Sequence, residues 1–194
     1  MTAQIDDRFR YKNTEYSVSG ISEGEVFEPS LLNLKPVGMC SACWRGYQAI
    51  FALSDNRLVL DTLHVSLDGA EGESPPVING VTPTGPEKNF DFFSSHYTSL
   101  NYHLEYSGGL LLADGFIREL YVHMGFHPAW KYERVIELVF EGGILRAEHD
   151  RSAQVADIRK QMASIAEQEP RKGMPSREEI AKFVERAFDR RYRF

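Results

Sequence analysis

Apolar residues recur at two spacings along this chain of 194 residues, and the change of spacing divides it. Up to about residue 150 they alternate in short runs, the period of a β-strand. Beyond that point they return every three or four residues, the period of a helix. Gly46–Leu53 and Arg57–Leu67 read as a hairpin joined at Ser54-Asp55-Asn56, because Asp and Asn tolerate turn geometry. In the second strand Val59, Leu63, Val65 and Leu67 share a face with Asp61, while Leu58, Leu60, Thr62 and His64 share the other. Both faces are largely apolar, so this strand is expected to be covered on both sides.

Tyr132–Phe140, the turn Glu141-Gly142-Gly143 and Ile144–His149 form a second strand-turn-strand unit. Its turn falls at the same offset as the first, as an internal duplication would place it, though any two hairpins share that pattern. Asn101–Tyr106 and Gly108–Met124 supply further strands, punctuated by Gly108-Gly109 and Asp114-Gly115. Asp68–Asn89 breaks the rhythm, with four Gly, four Pro and no periodicity, and reads as a mobile excursion. Val155, Ile158, Met162 and Ile165 then recur at helical spacing until Pro170 stops them, and Arg171–Pro175 makes a loop. Ser176 with Glu179 three residues later is a capping box that opens a second helix, with Ile180, Phe183, Val184, Ala187 and Phe188 on one face. These stripes must be buried on the sheet or on another subunit. The expected fold is α+β: an antiparallel β-sandwich or barrel-like body over residues 1–151, and a C-terminal helical hairpin over 152–194 in the same structural unit.

Composition narrows the class. The chain is long enough for a real core, and 42% apolar residues with 12 Phe, 9 Tyr and 2 Trp exclude a disordered polymer. The longest strongly apolar run, Leu110–Ala113, is far short of the roughly 20 residues a membrane helix needs. An acidic, polar start, M-T-A-Q-I-D-D-R, does not read as a secretory signal. The expected location is therefore the cytoplasm. Net charge is −6, yet residues 171–194 carry eight Lys/Arg against four Asp/Glu. An acidic body repels a phosphate backbone, which makes nucleic acid an unfavoured partner. The basic end reads as cations suited to a helix C-terminus.

Chemistry-bearing residues concentrate between Arg118 and Glu133, R-E-L-Y-V-H-M-G-F-H-P-A-W-K-Y-E. Alternation along a strand would put Glu119, Tyr121 and His123 on one face, and a return through Gly125–Lys131 would bring Glu133 towards His123. A carboxylate beside a histidine is the minimum for general acid–base work, and equally for a cross-strand ion pair. Tyr121, Phe126, Trp130, Tyr132 and Trp44 offer an aromatic surface, the usual anchor of a binding interface. Cys40-Ser41-Ala42-Cys43 leads into a strand rather than a helix, which argues against a redox motif. Even with His123-x3-His127 it lacks the two tight ligand pairs of a structural zinc site, so no metal and no cofactor are expected. The candidate site residues are Arg45, Tyr47, Glu119, Tyr121, His123, His127, Trp130, Tyr132 and Glu133. Without a nucleophile motif or phosphate loop, the pattern favours a non-enzymatic binding module for a protein or small molecule. It would associate with itself through the C-terminal helices. The alternative is a hydrolase-like small-molecule enzyme using Glu119, His123, His127 and Glu133.

Two segments, W-R-G-Y-Q-A-I-F-A-L-S-D-N-R-L-V-L at 44–60 and Y-V-H-M-G-F at 121–126, with Tyr132-Glu133 following, carry a resemblance. The chain resembles an uncharacterised family of small bacterial proteins of unknown function, with an RGY strand hairpin, a YVHMG segment and a further hairpin. The resemblance covers about residues 44–148 outside the Pro/Gly stretch. It implies a β-rich domain and a bacterial, cytosolic origin, and it transfers no activity and no catalytic residue.

Overall fold

The alternating half of the chain builds a sheet that closes on itself. A computed structural model describes residues 2–68, 75–86, 92–168 and 176–192. The strands are β1 (Arg8–Tyr11), β2 (Thr14–Ile21), β3 (Tyr47–Ser54), β4 (Arg57–Val65), β5 (Ser95–Tyr97), β6 (Tyr102–His103), β7 (Gly108–Phe116), β8 (Tyr132–Glu141) and β9 (Ile144–Asp150). Helices α1 (Ser152–Gln168) and α2 (Arg177–Phe188) follow. Hydrogen bonding runs β3–β1–β2–β7–β8–β9–β4, and β4 pairs back onto β3, so seven strands form a barrel while β5 and β6 pair with β4 off that ring. Of the two bodies the sequence left open, it is the barrel. The body is not wholly antiparallel, because β1 runs parallel to β3. Residues 22–46 lie between β2 and β3, and a connection of that length lets the chain return in the parallel sense.

Three two-residue turns hold the hairpins. Lys12-Asn13, Asp55-Asn56 and Gly142-Gly143 all have positive φ at both positions, as the favoured hairpin turns require. The first of these joins β1 to β2, a hairpin the periodicity reading passed over. At the seam between β9 and β4 only Arg57 and Ile144 are paired. Leu58 N–H donates to Gly143 O at 2.7 Å and Leu145 N–H to Asn56 O at 3.0 Å, so the tip of one hairpin fastens the tip of the other.

Inside the barrel the side chains fill the space. Phe9 meets Phe51 on the adjoining strand and Phe140 on β8, each at 6.4 Å between ring centres. Val18, Leu60, Leu110, Leu112 and Leu138 complete the layer with no exposure to solvent. Burying such residues stabilises the fold by roughly 1.5–3 kcal/mol each. Outside, Leu111 and Ala113 of β7 with Tyr132 and Val135 of β8 form a second cluster, covered by Val155 of α1.

The helices correct one expectation. In α1 only the first turns of the stripe are sheltered: Val155 is buried, Ile158 half-buried and Met162 exposed, while the side chain of Ile165 lies outside the described residues. The capping box of α2 forms, with Glu179 N–H donating to Ser176 Oγ (3.2 Å) and Ser176 N–H donating to the Glu179 carboxylate (2.7 Å). Yet no residue of α2 is buried, and Ile180 and Phe183 stay 46% and 45% exposed. The helix meets the body at its end, where Phe188 stacks on Trp44 and Phe126 N–H donates to Ala187 O. Loop 171–175, expected between the helices, lies outside the described residues.

Two further expectations change. The strand expected over Gly108–Met124 ends at Phe116, and Arg118–Leu120 is a single 3-10 turn. Gly115 takes a left-handed φ of 72° and its N–H donates to the Asp114 carboxylate, yet Phe116 still pairs with Tyr132, and the extended run stops only where the 3-10 turn begins. Of the Pro/Gly stretch 68–89, residues 75–86 are tied down rather than loose. Tyr97 hydroxyl donates to Pro76 O, Ile78 enters the core, and Thr84 pairs with His96. Residues 69–74 and 87–91 lie outside the described residues.

Candidate functional site

The N-terminal pair Asp6-Asp7 enters β1 with its two carboxylates in opposite surroundings. Asp7 is buried and saturated. Arg45 reaches it with two hydrogen bonds (2.9 and 3.0 Å), Arg190 with a third (2.7 Å), and Ala49 N–H with a fourth (3.0 Å). Burial alone would raise its carboxyl, but the two guanidiniums outweigh that and hold it well below the usual carboxylate range. Arg45 also lies over the Tyr47 ring at 4.6 Å, and Arg190 over Phe126 at 4.9 Å. This node locks the C-terminal segment to the barrel. Ile21 N–H donates to Arg190 O, Tyr192 N–H donates to Ile21 O, and Tyr192 hydroxyl donates to Glu137 at 2.6 Å. The basic end is thus a clasp on β2, not merely a set of cations at a helix terminus.

Asp6, one residue earlier, has the reverse character. Its Oδ1 is shielded from solvent with no hydrogen-bond partner among the described residues. Its Oδ2 receives only the Tyr132 hydroxyl, at 3.5 Å. Burial pushes its carboxyl up to about 6, against the pull of Arg8. Asp6 lines a cavity of about 320 Å³ on the outside of the barrel, together with Arg8 of β1, Ser17 of β2, Tyr132 of β8, and Tyr121 and His127 of the 117–131 connection. Phe116 is at its centre, with ring centres 4.8 Å from His127, 5.2 Å from Tyr132 and 6.4 Å from Tyr121. Burial, then the neighbouring Lys131, pushes His127 down to about 4, so its imidazole is neutral at physiological pH. Burial also pushes the Tyr132 phenol up to about 12, which keeps it a donor.

The sequence-based candidates divide. Tyr121, His127 and Tyr132 meet in this cavity. His123 does not line it, but its Nδ1 is 2.8 Å from the Tyr121 hydroxyl at the exposed rim. Glu119 and Glu133 are exposed, and no hydrogen bond or ion pair joins either to His123 among the described residues. With β7 ending at Phe116, the shared strand face for Glu119, Tyr121 and His123 does not exist. Trp130 packs into the outer cluster, where Arg159 donates to its carbonyl at 2.7 Å. Arg45 and Tyr47 belong to the Asp7 node. Asp6, Arg8 and Ser17 were not anticipated; their only trace was the alternation of D-R-F-R-Y before a Lys-Asn turn.

Other groupings are engaged internally. A wider cavity, about 1230 Å³, lies between residues 22–28 and the C-terminal clasp. Its arginines pair within it, Arg151 with Glu137, Arg190 with Glu25 and Arg191 with Asp189. His64 and His96 face each other across β4 and β5 with Nδ1 atoms 2.7 Å apart. Cys43 is buried, donates to Tyr47 O at 3.3 Å, and has its thiol pushed up by burial. Among the described residues no group of three or more His, Cys, Asp and Glu is placed to hold one ion, and no helix is long and apolar enough to cross a membrane. Comparison of the chain with protein-family models, with curated proteins and with solved structures finds no match in any of the three.

Proposed function

We propose that this protein is a binding module that takes a small polar molecule in the cavity formed by Asp6, Arg8, Tyr121, His127 and Tyr132. The observation that carries the reading is Asp6: a carboxylate in a cavity wall whose Oδ2 takes one long hydrogen bond, 3.5 Å from the Tyr132 hydroxyl, and whose Oδ1 has no partner among the described residues. A carboxylate so weakly satisfied is costly to hold, and a ligand donor that reaches it from the cavity recovers part of that cost on binding. The cavity volume is at the small end of the roughly 300–1,000 Å³ typical of small-molecule sites. The test is a thermal-shift screen of small polar metabolites against the full-length protein and its Asp6→Ala variant. Compounds that raise the midpoint of the unsubstituted protein and not of the variant support the reading. Compounds that shift both equally place binding elsewhere and overturn it.

The second reading is a hydrolase-like small-molecule enzyme working at the same end of the sheet. Its support is the Asp6 carboxyl, pushed up to about 6 in a cavity that a neutral His127 also lines, a value suited to proton transfer near neutral pH. The Glu119 and Glu133 carboxylates drop out of that version, since both are exposed on the surface. We further propose, from the resemblance, a bacterial cytoplasmic setting. The exposed Ile180 and Phe183 of α2 support self-association through the C-terminal helices.

A further inference from the structure

Asp6 precedes β1 by two positions and Arg8 opens it, and both line the same cavity. Charges around them are already paired: Glu15 with Arg10, Asp114 with Arg134, and Asp7 with Arg45 and Arg190. Asp6 and Arg8 are the exceptions. Neither forms an ion pair with the other or with any described residue. Arg8 gives one hydrogen bond, from Nη1 to Ser17 Oγ at 2.9 Å, which leaves four of its five N–H groups for a ligand. An acid and a base thus face one small space without a direct ion pair, Arg8 acting on Asp6 only through its charge.

Resting on the cavity as the binding site, we infer that its ligand is a small zwitterion, an α-amino acid or a close relative, with its ammonium on Asp6 and its carboxylate on Arg8. A guanidinium fork matches a carboxylate in plane and in spacing, which a single hydroxyl or carbonyl does not. An ammonium group brings three donors to a carboxylate that now has one weak donor. Tyr121 and Phe116 provide an apolar wall for the ligand's side chain, and the volume admits one residue rather than a peptide. A cation on Asp6 also lowers its carboxyl from about 6, so affinity falls as pH drops below that value and the site takes up a proton in place of the ligand.

Calorimetric titration of the full-length protein tests this with the free amino acids as probes. Each binder is paired with its N-acetyl form, which lacks the ammonium, and its methyl ester, which lacks the carboxylate. At least one free amino acid should bind, and either modification should weaken it about ten- to hundredfold, the worth of one charged hydrogen-bonded contact. Asp6→Asn should remove the discrimination against the N-acetyl form, and Arg8→Gln the discrimination against the ester. Because the ligand pairs are compared on the unsubstituted protein, the result stands even if a variant folds poorly. Absence of binding by every free amino acid, or equal binding of free and blocked forms, overturns the zwitterion. In that case, metabolites that stabilise the protein but not Asp6→Ala still uphold the cavity as a site for another chemistry. Metabolites that stabilise both equally reject the site itself.

Discussion

Two neighbouring aspartates, Asp6 and Asp7, differ in the charges that surround them, and their substitutions should move stability in opposite directions. Asp7 is ionised and neutralised by Arg45 and Arg190, the latter with a side chain only 8% exposed. Asp7→Ala would strip Arg45 of its carboxylate and leave the buried Arg190 with Glu25 alone, and the expected loss is roughly 3–5 kcal/mol in urea denaturation at pH 7. Because Asp7 is held below its unfolded value, its contribution is present above about pH 4 and is lost as pH falls towards its folded value. An exposed pair such as Lys160–Asp157 should be worth under about 1 kcal/mol. For Asp6 the sign reverses. Its folded value of about 6 lies above the unfolded one, so ionisation costs stability as pH rises through that window. Asp6→Asn should therefore match the unsubstituted protein near pH 4 and be more stable by about 2–3 kcal/mol at pH 8. A variant equally stable or weaker at pH 8 would mean that Asp6 is well satisfied, removing the basis for the site.

Among the elements, the hairpins were readable because turn chemistry is local. Asp55-Asn56 and Gly142-Gly143 announce left-handed turns, and Ser176 with Glu179 announces the start of α2. The end of β7 was not readable. Residues 117–124 keep an apolar–polar rhythm, and only the 3-10 turn at Arg118–Leu120 and the pairing of Ile117 N–H with Lys131 O turn the chain aside. The two glycines of the β8–β9 turn separate a turn requirement from a packing requirement. Both have positive φ, and a Cβ on Gly142 meets nothing, whereas one on Gly143 collides with Leu104 O at the barrel seam. Gly142→Ala should cost about 1–2 kcal/mol from backbone conformation alone. Gly143→Ala should cost distinctly more and lower the thermal midpoint further. Equal midpoints for the two variants would show that the seam adjusts freely.

Across the whole molecule, the C-terminus acts as a clasp. Arg190 reaches Asp7 across 183 positions of sequence, and Tyr192 reaches Glu137. Phe188 covers Trp44, which adds a stacked aromatic contact. A chain ending at residue 175 loses all three. It should unfold at a lower temperature and bind a hydrophobic dye more strongly, through Phe126 and the further uncovered ring of Trp44. If the exposed stripe of α2 mediates self-association, the same truncation should also reduce the mass measured by light scattering. An unchanged midpoint would reduce the clasp to a surface decoration.

The sequence by itself determined what depends on neighbours in the chain. Strand and helix periods, turn residues and the capping box all follow from spacing within a few tens of residues. Tertiary structure alone decided that the sheet closes, that β1 lies parallel to β3, and that Asp6 and Arg8 stand beside His127. It also decided that Asp7 is neutralised by two arginines distant in sequence, Arg45 before β3 and Arg190 after α2. Spacing records which face a residue takes, because the backbone repeat is fixed. It does not record which distant segment that face meets, because such pairing is selected by packing and charge only after the chain has folded.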